Sequence, residues 1–184
     1  MSFTPLFNQR PILNVIGLVN EQNNKGYVES DLAIRPLVVV PETDAGNTTS
    51  VEIDLLNAPS EVDGDWVTFY YSRMELATVF SLITAENKNT FREVDIALGE
   101  DGMPSDLDAF RAEVLRKFGF LVTAEDYDIS LKEAGVILIT AKAENYAYTG
   151  AFELAVIDSL ATRVAKTTLV GFTADSTEDH VPAS

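Results

Sequence analysis

Cysteine is absent from this chain of 184 residues. That absence excludes disulfides, zinc ribbons, iron–sulfur ligation and thiol catalysis. Histidine occurs once, as His180 within Ser176-Thr177-Glu178-Asp179-His180, a polar setting in which a solvated side chain is expected. Any serine–histidine chemistry would have to draw on that residue. Positive charge is scarce, with 13 Lys and Arg against 29 Asp and Glu and a formal net charge of −16. Nucleic-acid backbone and anionic membrane surfaces both call for clustered cations, so neither is an expected partner. Apolar stretches such as Leu37–Val40 and Val136–Ile139 fall far short of the roughly 20 residues that cross a bilayer. The opening Met1-Ser2-Phe3-Thr4-Pro5 has no charged segment leading into an apolar one, so no secretory signal is expected, and synthesis in the cytosol is.

What the chain does have is apolar content: 46% of it is hydrophobic, enough for a packed core in one domain or two small ones. Ile12, Leu13, Ile16 and Val19 recur at helical spacing and predict a helix over Pro11–Asn23, ended by polar residues and Gly26. Asp31–Val40 reads as a strand interrupted by Pro36. Thr48–Leu55 alternates Val51, Ile53 and Leu55 against Glu52 and Asp54, and Trp66–Arg73 is strongly β. Together these two predict an antiparallel hairpin, after which Glu75–Ile83 returns to helical spacing. A polar stretch with Gly99, Gly102 and Pro104 is the candidate linker. Leu107, Phe110, Val114, Leu115 and Phe118 then form one helical stripe, with Ser105 as the expected cap and Gly119 as the stop. Strands are expected near Tyr127–Leu131, Val136–Ala143 and Phe152–Ile157, with a last β-like run at Thr167–Phe172.

Compared with itself, the chain suggests an internal duplication. Ser50–Tyr71 aligns with Val136–Ile157 without a gap, setting Val51 against Ile137, Ile53 against Ile139, Gly64 against Gly150 and Trp66 against Phe152. Upstream, Glu29–Ile34 resembles Ala124–Ile129, and both halves begin with an amphipathic helix ending in glycine, Gly26 or Gly119. The expected fold is therefore α+β: two pseudo-repeated units, each a helix packed on a small antiparallel sheet with a long hairpin. Their expected limits are 1–85 and 105–172, joined by a linker over 86–104 and followed by a polar tail over 173–184. One helix on three strands buries little surface alone, and pairing two copies supplies a joint core.

Chemical motifs are sparse. Asp63-Gly64-Asp65 and Glu100-Asp101-Gly102 resemble fragments of a calcium loop but lack its further ligands, so turn chemistry is the expected role. No phosphate loop, dinucleotide fingerprint or nucleophile elbow is present. Nothing singles out one carboxylate pair among the many, and no catalytic residue, cofactor or metal is expected. Trp66, Phe69, Tyr70 and Tyr71 alternate as strand faces do, so half of them are expected in the core. Tyr146 and Tyr148 fall in the loop Glu144–Gly150, where exposed tyrosines would favour protein contact.

Ile12–Ile34 (ILNVIGLVNEQNNKGYVESDLAI), followed by Trp66–Leu76 (WVTFYYSRMEL), resembles a helix-plus-β-hairpin module of virion structural proteins from large tailed bacteriophages. In that module a short helix ends in an asparagine-rich turn, a strand follows, and a hairpin closes on an aromatic–Arg–apolar segment. Here that segment is Tyr71-Ser72-Arg73-Met74-Glu75-Leu76. Phe118–Ile157 is similar but lacks the asparagine-rich turn and the arginine. The resemblance implies a non-enzymatic building block of the virion, made in the host cytoplasm: first a capsid accessory or decoration protein, next a neck, tail or baseplate component. A receptor- or glycan-binding module on a fibre is the alternative. Implied partners are the major capsid, neck or tail proteins and copies of the chain itself, with Arg73, Tyr146 and Tyr148 as candidate contact residues.

Overall fold

A computed structural model describes residues 5–56, 66–86 and 92–158. Asp63-Gly64-Asp65, the run Thr167–Phe172, the tail 173–184 and His180 lie outside the described residues.

Helix α1, Pro11–Asn23, opens with a proline whose fixed φ suits the first helical position. Its stripe of Ile12, Val15, Ile16 and Val19 is buried. It stops at Asn24 rather than Gly26, because Asn24 itself takes the left-handed conformation at φ 51°. Lys25 N–H then donates to the Asn20 carbonyl at 3.0 Å, and the Asn20 side chain holds both the N–H and the carbonyl of Tyr27 at 2.8 Å. The asparagine-rich turn is thus a helix stop built from side-chain amides.

After a single 3₁₀ turn, β1 (Leu32–Ile34) and β2 (Val38–Val39) line one edge of β3 (Thr49–Leu55), with the chain broken between them around Pro36. The other edge of β3 takes β4 (Val67–Tyr71), all antiparallel. Helix α1 covers this sheet, and Ile12, Val15, Ile16, Val19, Leu32, Val51, Ile53 and Tyr71 form its core.

The second sheet is larger. The chain from Met74 onward supplies β5 (Met74–Glu75), α2 (Leu76–Glu86), β6 (Glu93–Asp95), α3 (Leu107–Phe118), β7 (Tyr127–Glu133), β8 (Val136–Ala141), β9 (Tyr148–Thr149) and β10 (Ala151–Ile157). Strands run in the order β6-β10-β8-β7, with β6 parallel to β10 and the rest antiparallel. A two-stranded parallel patch, β5 with β9, joins the halves. In the second core, Phe80 stacks on Phe152 at 4.1 Å and meets Phe118 edge-on at 4.9 Å. Asp106, not Ser105, caps α3, accepting from the N–H groups of Asp108 and Ala109 at 2.9 and 3.0 Å. Gly119 ends it at φ 67°.

The fold is α+β, and three expectations change within it. Helix α2, expected in the unit 1–85, buries Leu76, Val79, Phe80 and Ile83 in the second core. The span 86–104, expected as a linker, contains β6, whose Val94 is fully buried against β10. Its polarity is real, but Val94 and the partly buried Ile96, Leu98 and Met103 dock it on the second core. Thirdly, Ile53 pairs with Val67 whereas Ile139 pairs with Phe152, so the register sets Val67, not Trp66, against Phe152.

Candidate functional site

Two surfaces stand out: the junction between the halves, and the outer edge of the first sheet. At the junction, Arg73 follows β4 and its guanidinium donates to the carbonyls of Ala143 and Asn145 at 3.0 and 3.2 Å. Met74 N–H bonds the Ala147 carbonyl at 2.9 Å, which starts the β5–β9 pairing. Asn145 is buried and shapes the loop from within. Its Oδ1 accepts from the N–H groups of Ala147 and Tyr148 at 3.1 and 2.9 Å, and its Nδ2 donates to the Asp126 carbonyl at 3.1 Å.

The two loop tyrosines face inward rather than outward. Tyr148 is only 1% exposed, and its hydroxyl accepts from Asn14 Nδ2 at 3.2 Å. Burial pushes its pKa up to about 12, and the Asn14 hydrogen bond opposes that rise. Asn14 is itself buried on α1, where its Oδ1 accepts from Leu6 N–H and from Gln9 at 2.9 Å each. Tyr146 is half-buried against the first core and donates to the Arg35 carbonyl at 3.3 Å. The expectation of exposed tyrosines therefore fails for Tyr148 and holds only in part for Tyr146. The loop doubles back onto α1 and β4 because Asn145 and Arg73 fix its backbone. All three candidate residues, Arg73, Tyr146 and Tyr148, meet partners in the other half of their own chain. Reading the sequence missed Asn14 and Asn145; the available signal was an asparagine inside the apolar stripe of α1.

On the first sheet, a groove of about 420 Å³ opens between the C-terminal end of α1 and the strands, lined by Val19, Asn23, Leu32, Ile53, Val67 and Phe69. Among the described residues, β4 pairs on one side only. Val67 and Tyr70 on this strand are each 53% exposed. Val38 and Val39 on the opposite edge are exposed as well. The Arg35 guanidinium lies 4.0 Å over the Trp66 ring. Tyr71 is buried beneath the sheet, so Trp66, Phe69, Tyr70 and Tyr71 do not share one flat aromatic platform.

Among the described residues no three acidic or histidine side chains are grouped as a metal site, and no helix is long and apolar enough to cross a membrane. Residues 6–183 match the model of a family described as a family of unknown function, DUF7941. No curated protein and no solved structure matches the chain.

Proposed function

For this chain, which belongs to the DUF7941 family of unknown function, we propose a non-enzymatic structural role in a tailed-phage virion, first as a capsid accessory protein. The observation that carries the assembly role is the outer edge of the first sheet: among the described residues β4 has no neighbour there, its Val67 and Tyr70 are exposed, and an apolar groove lies beside it at the end of α1. Unpaired edges and clustered apolar side chains are costly on a free subunit and become favourable when a neighbour covers them. The tailed-phage setting rests on the likeness of the segments Ile12–Ile34 and Trp66–Leu76 to the virion module. Net charge of −16 keeps free copies apart until such contacts form.

The two halves are, in this proposal, copies of one helix-on-sheet unit. Both helices end in a left-handed residue, Asn24 and Gly119. The pairing of Leu32 with Leu55 has its counterpart in Tyr127 with Ala141, and that of Ile53 with Val67 in Ile139 with Phe152. Each pattern supports a common ancestor unit.

Quantitative mass spectrometry of purified particles, normalised to the major capsid protein, tests the role. Hundreds of copies indicate capsid decoration, and about six or twelve a neck or tail ring of closed symmetry. Absence from particles overturns it.

A further inference from the structure

We propose that the groove of the first unit receives the C-terminal arm of a second copy of this chain, so that copies join head to tail. This deepens the assembly role above and rests on it. The starting observation is that the corresponding groove in the second unit is already filled. Matching the helix stops and strand partners sets Val19, Asn23, Val67 and Phe69 where the second unit has Val114, Phe118, Phe152 and Leu154. There Phe80 of α2 lies against both Phe118 and Phe152, with Leu76, Val79 and Ile83 completing the cover. Phe152 is 2% exposed as a result, whereas its counterpart Val67 is 53% exposed. The same neighbour strand logic holds at the edge. Strand β6 closes the outer side of β10, and among the described residues nothing closes that of β4.

Helix α2 and β6 reach the second unit because the chain leaving β4 crosses over through β5 instead of folding back. Each unit is thus completed by the arm that follows the unit before it. The chain leaving β10 is long enough to match the stretch Ser72–Asp95 that supplies β5, α2 and β6. It also repeats the opening of α2: Leu160-Ala161-Thr162 matches Leu76-Ala77-Thr78, and Val164 stands where Phe80 stands.

Contacts between the halves are of the heterologous kind, which favours a second copy over the arm's own chain. Leu121 N–H donates to the Phe7 carbonyl at 2.9 Å. A two-fold relation would repeat this contact between Gly26 and Gly102. Among the described residues no bond runs from the Gly26 N–H to the Gly102 carbonyl, and the space beside Gly26 is open. Repeated heterologous contacts run on from copy to copy rather than closing within one.

Sedimentation velocity over a concentration series, at about 0.15 M salt and again at higher salt to screen the acidic surface, tests the proposal. Three proteins are compared: the full chain, a chain ending at Asp158, and full-length Val67→Lys. The full chain is expected to self-associate with concentration and the other two to sediment as monomers. An equal mixture of the two variants should recover a dimer, since one retains the arm and the other the groove. Asn23→Trp, which fills the groove from α1 instead of the strand, is the second blocking variant, and far-UV circular dichroism checks that each variant folds. A full chain that stays monomeric at every concentration overturns the proposal; if truncation also lowers its melting temperature, the arm docks on its own chain. Self-association that survives both the truncation and the groove variants overturns it too. Particle content, read separately by mass spectrometry, keeps the virion role distinguishable from this contact.

Discussion

The hydroxyl of Tyr148 and the amide of Asn14 belong to opposite halves of the chain and meet where both side chains are buried. Removing the hydroxyl with Tyr148→Phe should cost about 1 kcal/mol, the usual net value of one neutral hydrogen bond, read by urea denaturation. An unchanged midpoint would mean that the bond contributes nothing. The same residue makes stability depend on alkaline pH. Its folded pKa lies above the unfolded value of 10.0, so the native state holds a proton that the unfolded state loses. The associated stability is complete below pH 10 and drains away as pH rises to about 12, a loss of about 2–3 kcal/mol. Tyr148→Phe should make that part of the pH–stability curve less steep, with buried Tyr71 and Tyr127, whose pKa values burial also raises, supplying the remaining slope. Tyr71 has the opposite character. Its hydroxyl is buried without a hydrogen-bond partner among the described residues, and burial raises its pKa while Arg73 opposes the rise. Tyr71→Phe should leave the melting temperature unchanged or raise it; a clear fall would reveal a partner for the hydroxyl.

Among the elements, α3 has the most complete end signals. Asp106 caps it, Asp108 lies in its first turn, Arg116 and Lys117 in its last, and Gly119 follows in the left-handed region. Asp106→Ala should destabilise the fold by about 1 kcal/mol, measured as a shift in the denaturation midpoint. These signals are local, and so the helix was legible in the residues themselves. So were α1, β3, β4, β8 and β10, whose apolar periods match their secondary structure. Strand β6 was not legible, since three residues with one valine carry no period. The span of α1 was as expected, but the residue that stops it is Asn24, which takes the left-handed conformation expected of Gly26. The candidate site was half legible: Arg73 and the two tyrosines do occupy special positions, but their partners come from across the chain.

At the scale of the molecule, the arm from β5 through β6 makes the halves interdependent. Phe80 precedes the second unit in sequence yet sits in the middle of its aromatic core. Phe80→Ala should cost about 3–5 kcal/mol, as deletion of a buried ring does. Calorimetry should show one unfolding transition in the parent chain, moved down as a whole in the variant. Two separated transitions in the parent would show that the halves fold independently. Arg73→Ala cuts the other tie, freeing the carbonyls of Ala143 and Asn145, and should loosen the Glu144–Gly150 loop with a smaller loss of stability. Faster amide exchange at Ala147 and Tyr148 is the measurement that checks it.

The sequence by itself determined the class of fold, most of the helices and strands, and the lack of thiol chemistry. Those follow from composition, from periods of two and 3.6, and from end signals, all of which act within a few residues. Which unit each element completes was decided only in three dimensions. Helix α2 has an apolar stripe that would suit either sheet, and nothing local tells it to cross to the second. The crossing follows from the β5–β9 pairing and the hold of Arg73 on the far loop, contacts between residues some 70 positions apart. Contacts of that separation leave no period in the sequence, and so the filled groove and the open one could be told apart only in the folded chain.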